Sequence, residues 1–294
     1  MGRQPSLARR FFDRFEPVHG VTYFSPEART ALDGLGFRGF WKGYFAARSA
    51  PFGAAPPEVV TATFYNFTSE RVAKSLRAAW DVSSPAEALR VRLDSAVAAL
   101  RRYGVTDDEA AAAAEMAEKA ARNAPLDGRP LFAANAALEW PDDPVARLWH
   151  AVTLLREHRG DGHIAVLVSL GVSGRESNVL HAAAGRVPQE MIMRSRDYDE
   201  AQWERYRGQL AARGLLDGDG ALTNAGRDFK QRIEDSTDQL ALSALEALDD
   251  EEVERLFQAL TPITRKVVAA GDVPAATPMG LARDDLHDGS AHLS

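Results

Sequence analysis

Residues 212–229 read ARGLLDGDGALTNAGRDF. Two short apolar runs, Leu215-Leu216 and Ala221-Leu222, flank the turn Asp217-Gly218-Asp219-Gly220, and Thr223 follows at once as the cap of a new helix. Apolar runs on either side of a glycine-rich turn pair into a hairpin, and a hairpin set between helices in this way is the β-wing that follows a helix-turn-helix. The upstream sequence fits. A helix is expected near 163–170, another over 174–184 opened by the Ser173…Glu176 capping box and closed by Gly185, and a third over 199–213 that stops at Gly214.

Further upstream, Asp143-Pro144 opens a helix whose Leu148, Val152 and Leu155 share a face. It runs into Arg156-Glu157-His158-Arg159-Gly160-Asp161-Gly162-His163, where two closely spaced glycines predict a break in the helix. The first half reads as helices as well. A short one covers 5–15, Ser25-Pro26 opens a second that ends at Gly34 and Gly36, and an aromatic helix covers 37–47. Two more lie near 58–64 and 69–80, and the Ser84…Glu87 and Thr106…Glu109 capping boxes start long helices reaching about Arg102 and Ala124. A connector follows, and the tail beyond residue 270 is expected to be disordered.

Composition narrows the chemistry. With 45% hydrophobic and 26% charged residues the chain is not a disordered polymer, and 294 residues suit two domains. It contains no cysteine, so disulfides, thiolate zinc sites and cysteine nucleophiles are excluded. Neither a signal-type apolar stretch nor a membrane-length run is legible, which predicts a cytoplasmic protein without a membrane partner. The net charge of −7 lowers the expectation of nucleic-acid binding.

The hairpin string and the helices before it, over residues 145–240, resemble winged-helix proteins of the MarR type. The whole chain, over about residues 8–268, is also similar to an actinobacterial helix-turn-helix group labelled SalK-type. That likeness rests on Glu16-Pro17-Val18-His19, Thr22-Tyr23-Phe24, GRPLFAANAAL at 128–138 and LREHRGDGH at 155–163. Capped helices recur in the same order in both halves, with Arg38-Gly39 laid on Arg159-Gly160 and the 84–102 helix on the Thr223 helix. The expected architecture is therefore mostly α: tandem duplicated winged helix-turn-helix units forming an intramolecular pseudodimer, with a small β-wing in the second half. Its segments are a degenerate winged-helix-like domain at 1–130, a connector at 131–143, a winged-helix domain at 144–270 and the tail at 271–294. The resemblance implies an effector pocket between the reading region and the dimerising helices.

The densest concentration of chemistry is the EHRGDGH string. Glu157, His158, Arg159, Asp161 and His163, joined from the first half by Glu16, His19, Tyr23 and Trp41, are the candidate ligand-binding or catalytic residues. His158 and His163 with Asp161 or Glu157 would suit a divalent cation, although their spacing matches no established zinc motif. Arg159 beside a histidine would suit an anionic ligand, and plain interhelical ion pairing accounts equally for the same residues. Trp41 belongs with Phe37, Phe40, Tyr44 and Phe45 to an aromatic set that either lines a pocket or fills the core.

Three functions stay open at this point. The first is a small-molecule-binding protein, a sensor or a repurposed biosynthetic protein, with its pocket between the halves and DNA binding weakened or lost. The second is a DNA-binding regulator, disfavoured by Asp197, Asp199, Glu200 and Glu204 near the start of the expected reading helix and by the acidic turn. The third is an enzyme of secondary metabolism using His19, His158, His163 and Asp161, with or without a metal. The sequence specifies neither a cofactor nor the choice between a monomeric pseudodimer and a homodimer.

Overall fold

Two long helices, one from each half, run through the middle of the molecule and set everything else around them. The computed structural model describes residues 2–274 and 281–293. In chain order the first half holds α1 (Pro5–Phe24), α2 (Pro26–Gly34), α3 (Phe40–Ser49), α4 (Pro57–Thr63), α5 (Ser69–Leu76), α6 (Ala79–Val82), α7 (Pro85–Arg102) and α8 (Asp107–Asn123). The second continues with α9 (Pro130–Ala136), α10 (Pro144–Ser169), α11 (Gly174–Ala183), α12 (Gln189–Ser195), α13 (Glu200–Ala212), α14 (Asn224–Ala241) and α15 (Asp250–Ala270). Side-chain caps start many of these helices where the sequence placed them: Ser25, Ser84, Thr106, Ser173 and Thr223 each accept a hydrogen bond from a first-turn amide.

Three hydrophobic clusters follow. The central one joins both halves through α1, α7, α8, α10 and α15, and includes Phe11, Phe15, Leu100, Leu148, Leu154 and Phe257. A first lobe closes around Phe37, Phe45, Phe64, Phe67 and Val72. A second lobe, built by the end of α10 and by α11 to α14, closes around Leu180, Ile192, Trp203, Leu210 and Ile233. The contacts come in matched pairs. As α10 packs on α7, α8 and α14, so α1 packs on α14, α15 and α7, while α1 meets α10 and α8 meets α15.

Several expectations need correction. No helix break occurs at Gly160 and Gly162, because α10 runs unbroken from Pro144 to Ser169. Glycine serves close approach there: a Cβ on Gly162 would stand 2.6 Å from Nη1 of Arg129. Nor does the hairpin form a strand-built wing. Among the described residues it is one antiparallel bridge between Leu216 and Leu222, closed by Asp217, whose Oδ1 accepts from the amides of Asp219 (3.0 Å) and Ala221 (2.9 Å). A side chain takes up amides in the turn, and the flanking apolar runs are too short to extend the ladder.

The expected connector holds most of α9, α1 runs on to Phe24 instead of stopping near residue 15, and α12 went unforeseen. Of the tail expected to be disordered, residues 275–280 and 294 lie outside the described residues. The segment 281–293 lies against α1 and α15: the buried Arg14 donates to the carbonyls of Asp285 (3.1 Å) and Asp288 (2.8 Å), and Leu286 and Ala291 are buried.

Candidate functional site

Between the two lobes lies a cleft with a cavity of about 200 Å³. Its floor is the middle of α10, from Arg156 to Leu167. The first lobe contributes Tyr44 and Arg48 from α3 and the loop 63–67 after α4. From the second lobe come Leu180 and His181 of α11, Ile192 and Arg196 at the end of α12, and Lys230, Ile233 and Glu234 of α14. The lobes touch beside it. A Cβ on Gly174 would stand 1.9 Å from the Tyr65 carbonyl oxygen, Asn178 Nδ2 donates to the Asn66 carbonyl (3.1 Å), and Tyr65 Oη donates to the Val172 carbonyl (2.8 Å).

Two ionic chains line the floor. In the first, Arg156 binds Glu16 (Nε to Oε2, 2.6 Å) and Glu157 (Nη1 to Oε2, 2.7 Å), and Arg48 grips Glu157 through Nε (3.2 Å) and Nη2 (3.1 Å). Burial by itself would raise the Glu157 carboxyl, but Arg156 and Arg48 outweigh it and hold the group well below the usual carboxylate range. In the second chain Arg159 binds Asp238 Oδ1 through Nε (3.1 Å) and Nη2 (2.7 Å), Arg9 bridges Asp238 and Glu234, and Lys230 pairs with Glu234. Burial also opposes ionisation of Glu234, and Lys230 and Arg9 again prevail.

Asp161 and His163 project from the same stretch with different duties. The Asp161 carboxylate accepts from the Phe132 amide (2.9 Å), capping α9 from outside because the residue before that helix, Arg129, provides no side-chain cap. Burial pushes its pKa up to about 7, although the amide bond works the other way. His163 Nδ1 lies 2.9 Å from Thr237 Oγ1, and that hydroxyl already donates to the Ile233 carbonyl (2.7 Å). Thr237 can therefore only accept, so the neutral ring carries its proton on Nδ1 and keeps a lone pair on Nε2. Burial brings the His163 pKa down to about 3.

Of the nine residues singled out in the sequence, Glu157, Arg159, Asp161 and His163 border the cleft. The buried Glu16 and His19 and the half-buried Tyr23 form a layer outside it: Glu16 is bound to Arg156, and His19 lies between Thr153 Oγ1 (2.9 Å) and Tyr23 Oη (2.8 Å). Burial keeps His19 neutral, with Arg156 adding to the effect. Trp41 packs on Phe67 under the Arg71 guanidinium. His158 faces away, edge-on to Phe132 and 3.5 Å from Ser243 Oγ, with Nδ1 buried and unpartnered. The set raised for a metal therefore does not assemble, and among the described residues no group of three or more histidines and carboxylates is placed to hold one.

Arg196 escaped the sequence reading. It lies just past α12, a helix whose short amphipathic pattern went unread, and its guanidinium sits 4.2 Å from the Phe67 ring. Arg48 and Arg156 were passed over for a different reason. Only the folded chain shows that they meet Glu157 and Glu16.

Against this geometry, the model of a helix-turn-helix family matches residues 8–274. The chain belongs to that family. No curated protein and no solved structure matches it. Within the matched range, α11 to α13 pack together as a three-helix unit around Leu180, Ile192 and Trp203. Among the described residues no helix is long and apolar enough to cross a membrane.

Proposed function

We propose that this helix-turn-helix protein binds a small organic molecule in the cleft between its lobes, and that it has weakened or lost the two-site DNA reading of its fold. In this reading its halves are diverged copies of one winged-helix unit of the MarR type, and the protein serves as a sensor or a repurposed biosynthetic protein. The observation that carries it is the interlobe contact. Arg71 in the first turn of α5 pairs with Asp197, three residues before α13, so the starts of the two candidate reading helices are tied together. Dimeric helix-turn-helix readers place theirs about 34 Å apart, one turn of DNA. The same contact leaves the aromatic and ionic cleft enclosed between the lobes.

Other features support the reading. The matched packing of α1 with α10 and of α8 with α15 is what a fused dimer would retain. In both halves a Leu-Gly pair follows the helix before the three-helix unit, Leu35-Gly36 and Leu170-Gly171, with both glycines left-handed at φ 91° and 62°. That register replaces the alignment of Arg38-Gly39 on Arg159-Gly160. The exposed face of α13 offers Glu200 and Glu204 as well as Arg205 and Gln209, an unfavourable mixture against phosphates.

Two measurements test the proposal. Anisotropy titration against a mixed-sequence duplex at 50 and 200 mM salt should show no binding tighter than non-specific contact, about 10⁻⁶ M at best. Tight binding with a steep salt dependence would favour the regulator, for which the exposed Lys74 and Arg77 of the first lobe argue. In parallel, ligands found by thermal-shift screening should lose their effect in Ile164→Trp, which fills the cleft. Hits that persist in that variant would place binding elsewhere.

A further inference from the structure

The ionic content of the cleft is unequal in one place. Arg9, Arg48, Arg156, Arg159 and Lys230 each pair with a carboxylate, drawn from Glu16, Glu157, Glu234 and Asp238. Arg196 pairs with none among the described residues. Its single hydrogen bond runs from Nη1 to the Ser195 carbonyl (3.3 Å), and its Nε is buried without a partner. An arginine in this state is costly at Nε, which has lost water without gaining an acceptor, and most of its planar set of donors stays open. Burial brings its pKa down to about 10, and the neighbouring Arg48 adds to the effect.

The surroundings specify the rest of the ligand. Phe67 lies under the guanidinium, Phe64 and Tyr44 continue the aromatic wall, and Ile192 also lines the cleft. A cavity of about 150 Å³ already accepts one benzene ring, so a space of about 200 Å³ takes one ring and a short substituent. An anion bound at Arg196 would satisfy the open donors, since a carboxylate presents two oxygens to the guanidinium fork.

We propose that the cleft takes a small monocyclic organic carboxylate, its carboxylate held by Arg196 and its ring laid against Phe64, Phe67 and Tyr44. This rests on the cleft being a ligand site. On the α10 side of the same cleft Arg156 and Arg159 are already taken up by Glu16, Glu157 and Asp238, which directs the carboxylate towards Arg196 at the α12 end. Arg196 is thus a specificity residue: it separates acids from their neutral analogues, while the aromatic wall sets ring size.

Calorimetric titration of the full chain with benzoate, phenylacetate and cinnamate, each against its neutral primary amide, tests the idea. At least one acid should bind about tenfold more tightly than its amide. Arg196→Met, which keeps the contact with Phe67, should bring that ratio to within about twofold, because it weakens the acid far more than the amide. Arg196→Lys should restore part of the preference, and thermal unfolding of each variant checks that it folds. Equal binding of acids and amides by the wild type, or an acid preference that survives in Arg196→Met, would overturn the Arg196 assignment and leave the cleft reading standing. If neither acids nor amides bind, the carboxylate proposal falls. The cleft reading is then decided separately by the Ile164→Trp screen.

Discussion

At the scale of single residues, the two glycines of α10 make a clean contrast. Gly162 faces the buried Arg129, whose guanidinium donates to the carbonyls of His158 (2.7 Å) and Leu240 (3.1 Å). Gly162→Ala pushes on that group and disturbs both bonds, so a net loss of about 1–3 kcal/mol is expected after the helix-propensity gain of about 1 kcal/mol. Gly160→Ala meets Glu157 Oε2 only at 3.4 Å and should be neutral or stabilising by up to about 1 kcal/mol. Urea denaturation of both variants checks the pair, and equal effects would refute the account of Gly162.

Asp161 gives a pH-dependent counterpart. Its folded pKa, about 7, stands above the unfolded value, so its contribution is greatest in acid and is lost as pH rises from about 4 through 7. Asp161→Asn keeps an acceptor for the Phe132 amide and removes the ionisation. Its stability relative to wild type should improve by about 3–4 kcal/mol between pH 4 and pH 8. Urea midpoints that run parallel over this range would show Asp161 to be an ordinary carboxylate. The sequence singled out Asp161, Arg159 and His163, which the fold brings to or beside the cleft, but it misjudged why the glycines sit among them. A glycine that admits a distant arginine looks the same, in one dimension, as a glycine that ends a helix.

Among elements, the junction of α11 with the 63–67 loop decides whether the cleft exists. Gly174 sits so close to the Tyr65 carbonyl that any side chain there must part the lobes, because backbone cannot swing aside as a side-chain end can. Gly174→Ala should cost more than about 2 kcal/mol and weaken cleft ligands at least tenfold. A variant with unaltered melting temperature and ligand affinity would contradict the close docking of the lobes. Helix starts were legible because a capping box is a local event between residues three apart, as at Ser84 with Glu87 and Thr106 with Glu109. The wing was overread, since two short apolar runs around a glycine-rich turn specify a hairpin but not how many rungs it carries. Short helices such as α9 and α12 went unread because fewer than two turns leave almost no periodicity.

For the whole molecule, buried neutral histidines dominate the acid response. His150, His158, His163 and His181 are depressed by burial to about 4, 3, 3 and 4, and His19 lies well below its usual value. Each contributes stability that is present above about pH 6.5 and is lost as pH falls towards its folded pKa. Asp13 and Asp161, raised by burial to about 6 and 7, work in the opposite direction. The depressed histidines outnumber the two raised carboxyls, so unfolding takes up protons near pH 5 and stability falls as the solution is acidified. Circular dichroism should therefore record cooperative unfolding between about pH 5 and pH 4. A fold intact at pH 3.5 would mean that these rings are reached by water.

The absence of cysteine from the chain and the exposure of the Asp217–Gly220 turn have a practical corollary. A thiol placed at Asp219 on the second lobe, with another at the exposed Lys74 on the first, would be the molecule's sole reactive pair. Spin or fluorescent labels attached there would turn the separation of the lobes into a distance readable in solution, with and without an added acid.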